Sequence, residues 1–390
     1  MRIPFPPVGI TGFGCVSPLG LGRAATEQSL RASRSGIGPV RLFSVEGCQS
    51  RTAGQVEEAL TEEAVAITPR TRRWTRAAQM VLVAAREALD ARPGFVPDAV
   101  VVGTTSGGMT LGEEFYRAAV THTRLAAAAR RTFGYPPPQP VYLALRALGI
   151  RAPIRIVSNA CASGTNAIGL ACQMIRSGAA RRVLAGGYDA IAELVFAGFD
   201  CLRASTPGIC RPFDAARDGL VLGEGAALFC LEREDAALRV TGYGSAVDTH
   251  HLTQPHPSGT GPLRAMRAAL ECAGLAPEDV DYINAHGTGT PLNDASEARA
   301  LLALCPRTPV SSTKGLTGHA LGAAGAIEAA FCCLALNGGF LPANVNFSHT
   351  EDEFPLQIVA NESRPAELRH ALSNSFGFGG ANATILLSRS

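Results

Sequence analysis

The sequence predicts an α/β protein in which one α/β unit is present twice. Three observations carry that prediction. Short apolar runs alternate with longer helical patterns, which implies parallel strand pairing within each unit. Four features of the first half return in the second half in the same order. At 390 residues, 46% hydrophobic and 17% charged, the chain is long and apolar enough to bury a large core.

The repeat can be followed element by element. Ile10–Gly14 reads ITGFG and Val240–Gly244 reads VTGYG, each a short β run ending in a glycine turn. Ala84–Asp90 is a helical pattern, followed by a Pro-containing turn and the strand Ala99–Val102, which runs into GTTSGG at 103–108. Its counterpart is the helical stretch Ala265–Cys272, a Pro-containing turn, the strand Val280–Ile283 and NAHGTG at 284–289. IVSNACASG around Cys161 is matched by PVSSTKGLTGHALG from Pro309 to Gly322: a strand, a polar turn and a small-residue helix. Both halves close on a Gly-rich turn into a strand, GEGAALFCL at 223–231 and GGANATILL at 379–387. The apolar runs Val81–Val83, Ile168–Ile175 and Ala326–Leu336 are expected to be helices buried on every side. The halves divide as 1–237, carrying Cys161, and 238–390, carrying His286 and His319. Packing about a pseudo-twofold axis would bring equivalent turns together, so Cys161 is expected to meet both histidines.

Two segments read as insertions. Gly112–Tyr142 holds an Ala/Arg helix and then GYPPPQP at 134–140; Asp200–Asp218 is a loop with Pro207, Cys210 and Pro212. Such segments line pockets or subunit contacts.

Composition excludes several classes. The net charge is +2, from 35 basic and 33 acidic residues, with no basic stripe interleaved with aromatics, so nucleic acid is not an expected partner. Arg131, Arg181 and Arg182 read as a solvated face, or as a basic rim facing an acidic carrier protein. The eleven cysteines are scattered without a CxxC pair or a Cys/His box, which indicates neither zinc nor a disulfide framework. The start, MRIPFPPVGI, carries no signal-peptide apolar region, and no apolar run is read as approaching ~20 residues. A soluble cytoplasmic protein with no membrane partner is expected.

Chemistry centres on SNACASG, Ser158–Gly164. A strand ends there, Cys161 occupies the turn, and a helix follows. The free N–H groups of a helix N-terminus favour a thiolate. Taken alone, a free cysteine is more often a small core residue. His286 in NAHGTGTPLND and His319 in STKGLTGHALGAAGAIE each follow a strand in a Gly/Thr-rich turn, and His319 lies five residues after Lys314. A cysteine with two histidines suits acyl-thioester chemistry, because the thiolate attacks and neutral imidazoles donate hydrogen bonds to an enolate.

These stretches resemble the β-ketoacyl-[acyl carrier protein] synthases of the elongating type. They are ACASG, RPFDAARDGLVLGEGA (Arg211–Ala226), HGTGTPLND (His286–Asp294), STKGLTGHALGAAGAIE (Ser312–Glu328) and NSFGFGGANA (Asn374–Ala383). The resemblance covers nearly the whole chain. It implies a thiolase-like fold, with five-stranded mixed sheets layered with helices as αβαβα, and decarboxylative condensation of malonyl-carrier with an enzyme-bound acyl group. It assigns Cys161 as nucleophile and His286 with His319 as the decarboxylating pair. It makes Lys314 and Glu328 a supporting charge pair and Asp294 a further acid near that lysine. Thr288 and Thr290 would hold the phosphopantetheine arm, and Phe378, flanked by Phe376, would be a gate whose N–H joins that of Cys161 in an oxyanion hole. No metal or redox cofactor is implied. The expected partners are acyl carrier protein and a second subunit, identical or a related chain-length factor.

Three departures bear on substrate. Gly112, in MTLGEE, stands where long-chain enzymes carry a branched residue lining the acyl pocket, so a wider pocket is expected. The loops Ser205–Arg211 and Asp235–Val240 are short. THHLTQPHPSG, Thr249–Gly259, is His-rich and reads as a loop, since no second cluster completes a metal site. These features favour a polyene or type II polyketide pathway, of aryl polyene character, over fatty-acid synthesis. The alternatives are a non-catalytic chain-length-factor-like partner, against which the intact Cys161, His286 and His319 speak, and a CoA-dependent thiolase, which needs a second active-site cysteine.

Overall fold

The computed structural model describes residues 6–57 and 74–390. Met1–Phe5, part of the stretch read for a leader, lie outside the described residues, as do residues 58–73.

Each half contributes five strands to the path of the main sheet. In the first, β1 (Val8–Ser17), β2 (Ala99–Gly103), β3 (Ile154–Val157), β4 (Arg182–Asp189) and β5 (Gly225–Glu232) lie in the order β3-β2-β4-β5-β1. In the second, β6 (Leu238–Val247), β7 (Tyr282–Asn284), β8 (Val310–Ser311), β9 (His370–Gly377) and β10 (Ala381–Arg389) lie in the order β8-β7-β9-β10-β6. Pairing senses match as well. β2 is parallel to β3 and β4, as β7 is to β8 and β9, and the remaining ladders are antiparallel. The duplicated, mixed five-stranded sheet is therefore present as expected. A short antiparallel ladder between Val8–Ile10 of β1 and Leu238–Val240 of β6 joins the two edge to edge.

The helices in chain order are α1 (Gly22–Arg31), α2 (Arg76–Asp90), α3 (Met109–Val120), α4 (Leu125–Arg131), α5 (Pro138–Ala147), α6 (Ser163–Arg176), α7 (Glu193–Cys201), α8 (Thr260–Ala273), α9 (Pro291–Leu304) and α10 (Ala324–Gly338). α2 and α5 cover the outer face of the first sheet, α8 and α9 that of the second, and α6 and α10 lie between the sheets. Every residue of α10 from Ala324 to Leu336 is buried. The stretch Leu321–Gly338 is apolar enough and long enough to cross a membrane, contrary to the expectation of no such run, but 89% of it is buried inside the protein. α2 departs from the expectation of burial on all sides. Val81–Val83 are buried, but Asp90 is exposed and Gln79 half-buried, so it is a one-faced surface helix.

The repeated TGFG and TGYG runs have a steric cause. A Cβ at Gly12 or Gly14 would lie 2.4 or 2.3 Å from the carbonyl oxygens of Ala88 and Ala84 on α2. A Cβ at Gly242 or Gly244 would lie 2.1 Å from those of Ala269 and Ala265 on α8. Only glycine lets a strand lie this close to a helix backbone, and both halves use that device at the same two positions.

The middle layer positions the site. A Cβ on Gly164 of α6 would lie 2.9 Å from Ala326 N, and one on Gly325 of α10 would lie 2.0 Å from Thr165 Oγ1. Beside this crossing the Thr165 and Ser375 hydroxyls bond at 2.8 Å, first half to second. Gly325→Ala is therefore expected to lower stability by about 1–3 kcal/mol through overpacking. Denaturant unfolding of the purified variant checks this, and an unchanged midpoint would contradict it.

Candidate active site

Cys161 lies on the turn between β3 and α6, immediately before the helix. Ala160 adopts a left-handed φ of 49°, which turns the chain sharply between the strand and the thiol. His319 follows the single helical turn Lys314–Thr317, and His286 follows β7. The structure brings the three together. His319 Nε2 is 3.0 Å from Cys161 Sγ. The His286 and His319 rings meet edge to face with centroids 5.2 Å apart. A ligating atom from each of the three residues falls within 4.8 Å of the others.

Burial sets the protonation states. Desolvation pushes the Cys161 thiol up to about 12, opposed by the Lys314 charge and by the backbone N–H groups of Phe378 and Cys161. The helix terminus was expected to favour a thiolate at rest; burial outweighs it. Both imidazoles are pushed well below their ordinary value, first by burial and then by the Lys314 cation. Burial thus favours the neutral forms of both partners in the contact between Cys161 Sγ and His319 Nε2, and in the tautomer with Nε2 unprotonated that imidazole can accept the thiol proton.

Lys314 is 1% exposed and forms an ion pair with Glu328, which is 3% exposed. Burial raises the Glu328 carboxyl to about 7, with Lys314 opposing. Lys314 is the single lysine among the chain's 35 basic residues. A compact ammonium on a straight stem fits a dry slot that a planar guanidinium does not.

Asp294, expected as a further acid near Lys314, sits under the 288–290 turn. Its carboxylate accepts N–H bonds from Thr288 (3.0 Å), Gly289 (3.1 Å) and Phe213 (2.8 Å). Three amides converging on one carboxylate hold it there. The Thr288 and Thr290 hydroxyls, bonded to each other at 2.9 Å, line a cleft of about 360 Å³ together with Cys161, His286, His319, Phe376 and Phe378. Phe376 packs edge-on against His286 with ring centroids 5.9 Å apart, and Phe378 stacks on Phe199 at 5.7 Å. A Cβ at Gly377 would lie 3.0 Å from Cys161 N, so glycine lets this loop reach the nucleophile's turn.

Gly112 does not line this cleft. It lies on α3 against Tyr135, and a Cβ there would meet the ring at 2.7 Å. The space expected to widen an acyl pocket is filled by that tyrosine. Two site residues escaped the sequence reading. Glu297 accepts N–H bonds from His286 (2.9 Å) and Gly287 (2.8 Å), and burial raises its carboxyl to about 7. Its signal was the i, i+3 spacing from Asp294, which puts both acids on one face of α9. Asp189, at the end of β4, accepts from Thr104 Oγ1 (2.6 Å), Ser106 N (2.8 Å) and Gly322 N (2.7 Å). An acid closing an apolar strand was its signal.

The thiolase-like fold and this cysteine–histidine–histidine set define an acyl-transferring condensing enzyme. Residues 6–237 match the family described as "Beta-ketoacyl synthase, N-terminal domain" and residues 238–348 the family described as "Beta-ketoacyl synthase, C-terminal domain". The chain belongs to the β-ketoacyl synthase family. It is 34% identical over 412 residues to 3-oxoacyl-[acyl-carrier-protein] synthase 2 of Staphylococcus aureus (strain N315), covering 98% of each chain. Among solved structures it resembles the ishigamide ketosynthase/chain length factor at a TM-score of 0.91 and 32% identity, over 99% of this chain and 100% of that one. It also resembles the Xenorhabdus doucetiae ketosynthase ApeO in complex with its chain length factor ApeC, at a TM-score of 0.87 and 30% identity over 98% of both chains.

If the Lys314 charge keeps the imidazoles neutral, Lys314→Met lets their pKa values rise. Histidine protonation, which disables the site, then sets in at higher pH, so the acid limb of the pH–rate profile should move upward. Lys314→Arg should lose most activity despite keeping the charge, because the slot is too tight. A pH–rate profile of Lys314→Met that superimposes on wild type would contradict this electrostatic role.

Proposed function

We propose that the chain catalyses decarboxylative Claisen condensation of malonyl-[acyl carrier protein] with an acyl group held on Cys161, giving a 3-oxoacyl-[acyl carrier protein] two carbons longer. The observation that carries this reading is the 3.0 Å contact between Cys161 Sγ and His319 Nε2 beside the ring of His286, in a cleft that Thr288 and Thr290 also line. Cys161 attacks the acyl thioester. Its proton passes to His319 Nε2 and on to the departing phosphopantetheine sulfur. The N–H groups of Cys161 and Phe378, which already point at the sulfur, hold the oxyanion. Malonyl-carrier then replaces the discharged carrier. Its C–C bond breaks, carbon dioxide leaves, and the electron pair forms an enolate whose oxygen takes hydrogen bonds from His286 and, once the His319 ring proton has moved from Nδ1 to Nε2, from His319 as well. The enolate carbon attacks the acyl thioester, the new C–C bond forms, and the Cys161 sulfur leaves as thiolate and takes a proton from solvent. No step calls on a metal or a redox cofactor. Thr288 and Thr290 hold the phosphopantetheine arm, and the work divides between halves 1–237 and 238–390. A non-catalytic chain-length-factor role would not need this set of three groups. The pathway is polyene or polyketide elongation in the cytoplasm, supported by the likeness to the ishigamide ketosynthase/chain length factor and to the ApeO–ApeC complex and by the aromatic cleft wall of Phe199, Phe376 and Phe378. Wild-type protein should become acylated by carrier-bound acyl donors and release products two carbons longer, seen by mass spectrometry, while Cys161→Ala does neither. Wild-type protein that no carrier-bound donor acylates would overturn the reading.

The second subunit docks on the face made by α3, α4 and the open edge of β3. Phe133 and Tyr116 there are 81% and 72% exposed, and β3 runs directly into the Cys161 turn. Residues 112–157 carry seven arginines and two glutamates, a net +5 where the whole chain carries +2. Two copies would set like charges face to face, so a related subunit with an acidic face fits better. Self-association of the pure chain should strengthen with added salt, which screens that repulsion. Light scattering between 50 and 500 mM salt (roughly tenfold in ionic strength) checks this, and a tight dimer indifferent to salt would contradict it.

A further inference from the structure

The His-rich loop 249–258 is built around unprotonated imidazoles and is bonded directly to the gate. Leu252 O accepts the Gly379 N–H at 2.7 Å, and Gly380 O accepts the Asp248 N–H at 2.7 Å. The loop's shape comes from short local bonds. Asp248 accepts the N–H groups of His250 (3.1 Å) and His256 (2.6 Å). His251 Nδ1 accepts the N–H of Thr253 at 3.1 Å, and His256 Nδ1 accepts the N–H of Ser258 at 3.2 Å, with the Ser258 hydroxyl at 2.7 Å. A backbone N–H can only donate, so each Nδ1 must be free of a proton. The rings of His250 and His256 meet edge-on at 5.0 Å. The charged groups around the loop are Asp248 just before it, Arg264 on Val247 O, Arg299 (paired with Glu353) on Pro257 O, and Arg203 and Asp218, which line the cleft together with His251.

We propose that this loop is a proton-operated brace on the gate, with His256 and His251 as positioning residues. With neutral imidazoles the loop is closed and holds Gly379, and with it Phe378, beside Cys161. Protonation turns Nδ1 from acceptor into donor facing another donor, and it places charge on the touching His250–His256 pair. The closed loop therefore holds while both Nδ1 atoms accept and loosens when they gain a proton. The proposal rests on the reading of Phe378 as the gate, yet its test needs no substrate.

Hydrogen exchange of the full-length protein, corrected for the intrinsic effect of pH, reads the Gly379 amide directly. In wild type its protection should fall roughly three- to tenfold from pH 8 to pH 6, the worth of one net hydrogen bond, while amides of β5 stay unchanged. His256→Asn places an amide oxygen where Nδ1 accepts and cannot titrate, so it should keep the pH 8 protection and lose at least half of the fall. His256→Ala, which has no acceptor, should be loose at both pH values. Wild-type protection that does not change with pH overturns the proposal, as does His256→Asn retaining the whole wild-type fall. Acylation of Cys161 in the same samples would continue in either case, which separates this outcome from failure of the condensing reaction.

Discussion

Everything at this site depends on how closely α6 and α10 can cross. Helices with ordinary side chains pack with axes 8–10 Å apart. Here α10 opens Ala324-Gly325-Ala326 and α6 opens Ser163-Gly164-Thr165, and Gly103, Gly187 and Gly322 extend the same small-residue seam. A Cβ at Gly103 would meet Ser163 at 2.3 Å, and one at Gly187 would meet Gly322 O at 3.1 Å. The consequence is chemical. The two N-terminal ends converge, so the turn before α6 and the turns before α10 share one small volume. A thiol from the first half thereby meets two imidazoles and an ammonium from the second.

That closeness also dries the site, and dryness decides its charge states. Thiol and imidazoles are driven towards neutrality by burial, and the one cation present acts further on the imidazoles in the same direction. A neutral imidazole can accept a proton from the thiol in one half-reaction and donate a hydrogen bond in the other, which an imidazolium cannot. Lys314 is buried in an ion pair with Glu328. A small, single-headed cation is what such a slot accommodates, in a chain that uses arginine at every other basic position.

How far this was legible from sequence depended on what each residue bonds to. The duplication was legible because glycine spacing and strand ends recur along the chain. Cys161, His286 and His319 were legible through the turns that carry them, although only the resemblance to a known family fixed their roles. Residues whose work is done on backbone amides were harder to read. Asp294 was placed near the lysine, but its hold on the N–H groups of a neighbouring turn was not read. Asp189 and Glu297 were passed over because a carboxylate that holds amides leaves no partner in the sequence. Gly112 was misread for a related reason. What a missing side chain does depends on what fills the space, and Tyr135 arrives from 23 residues downstream in a segment with no counterpart in the second half.

The two overlooked carboxylates show what the repeat did not supply. Each half has a turn after its second strand, Thr104–Gly108 in one and His286–Thr290 in the other, and each turn presents consecutive amides to a buried carboxylate. In the first half Asp189, at the end of the adjacent parallel strand β4, accepts from Thr104, Thr105 and Ser106. In the second half Glu297, from helix α9, accepts from His286 and Gly287. These positions are not equivalent in the duplicated topology: one closes a strand and the other lies within a helix. Had the carboxylate come with the repeat, both would sit on the same element. The shared requirement is physical, since buried amides without partners cost more than a buried carboxylate that satisfies several of them. His286 is thus held in place by the same device that fixes a turn with no histidine at all.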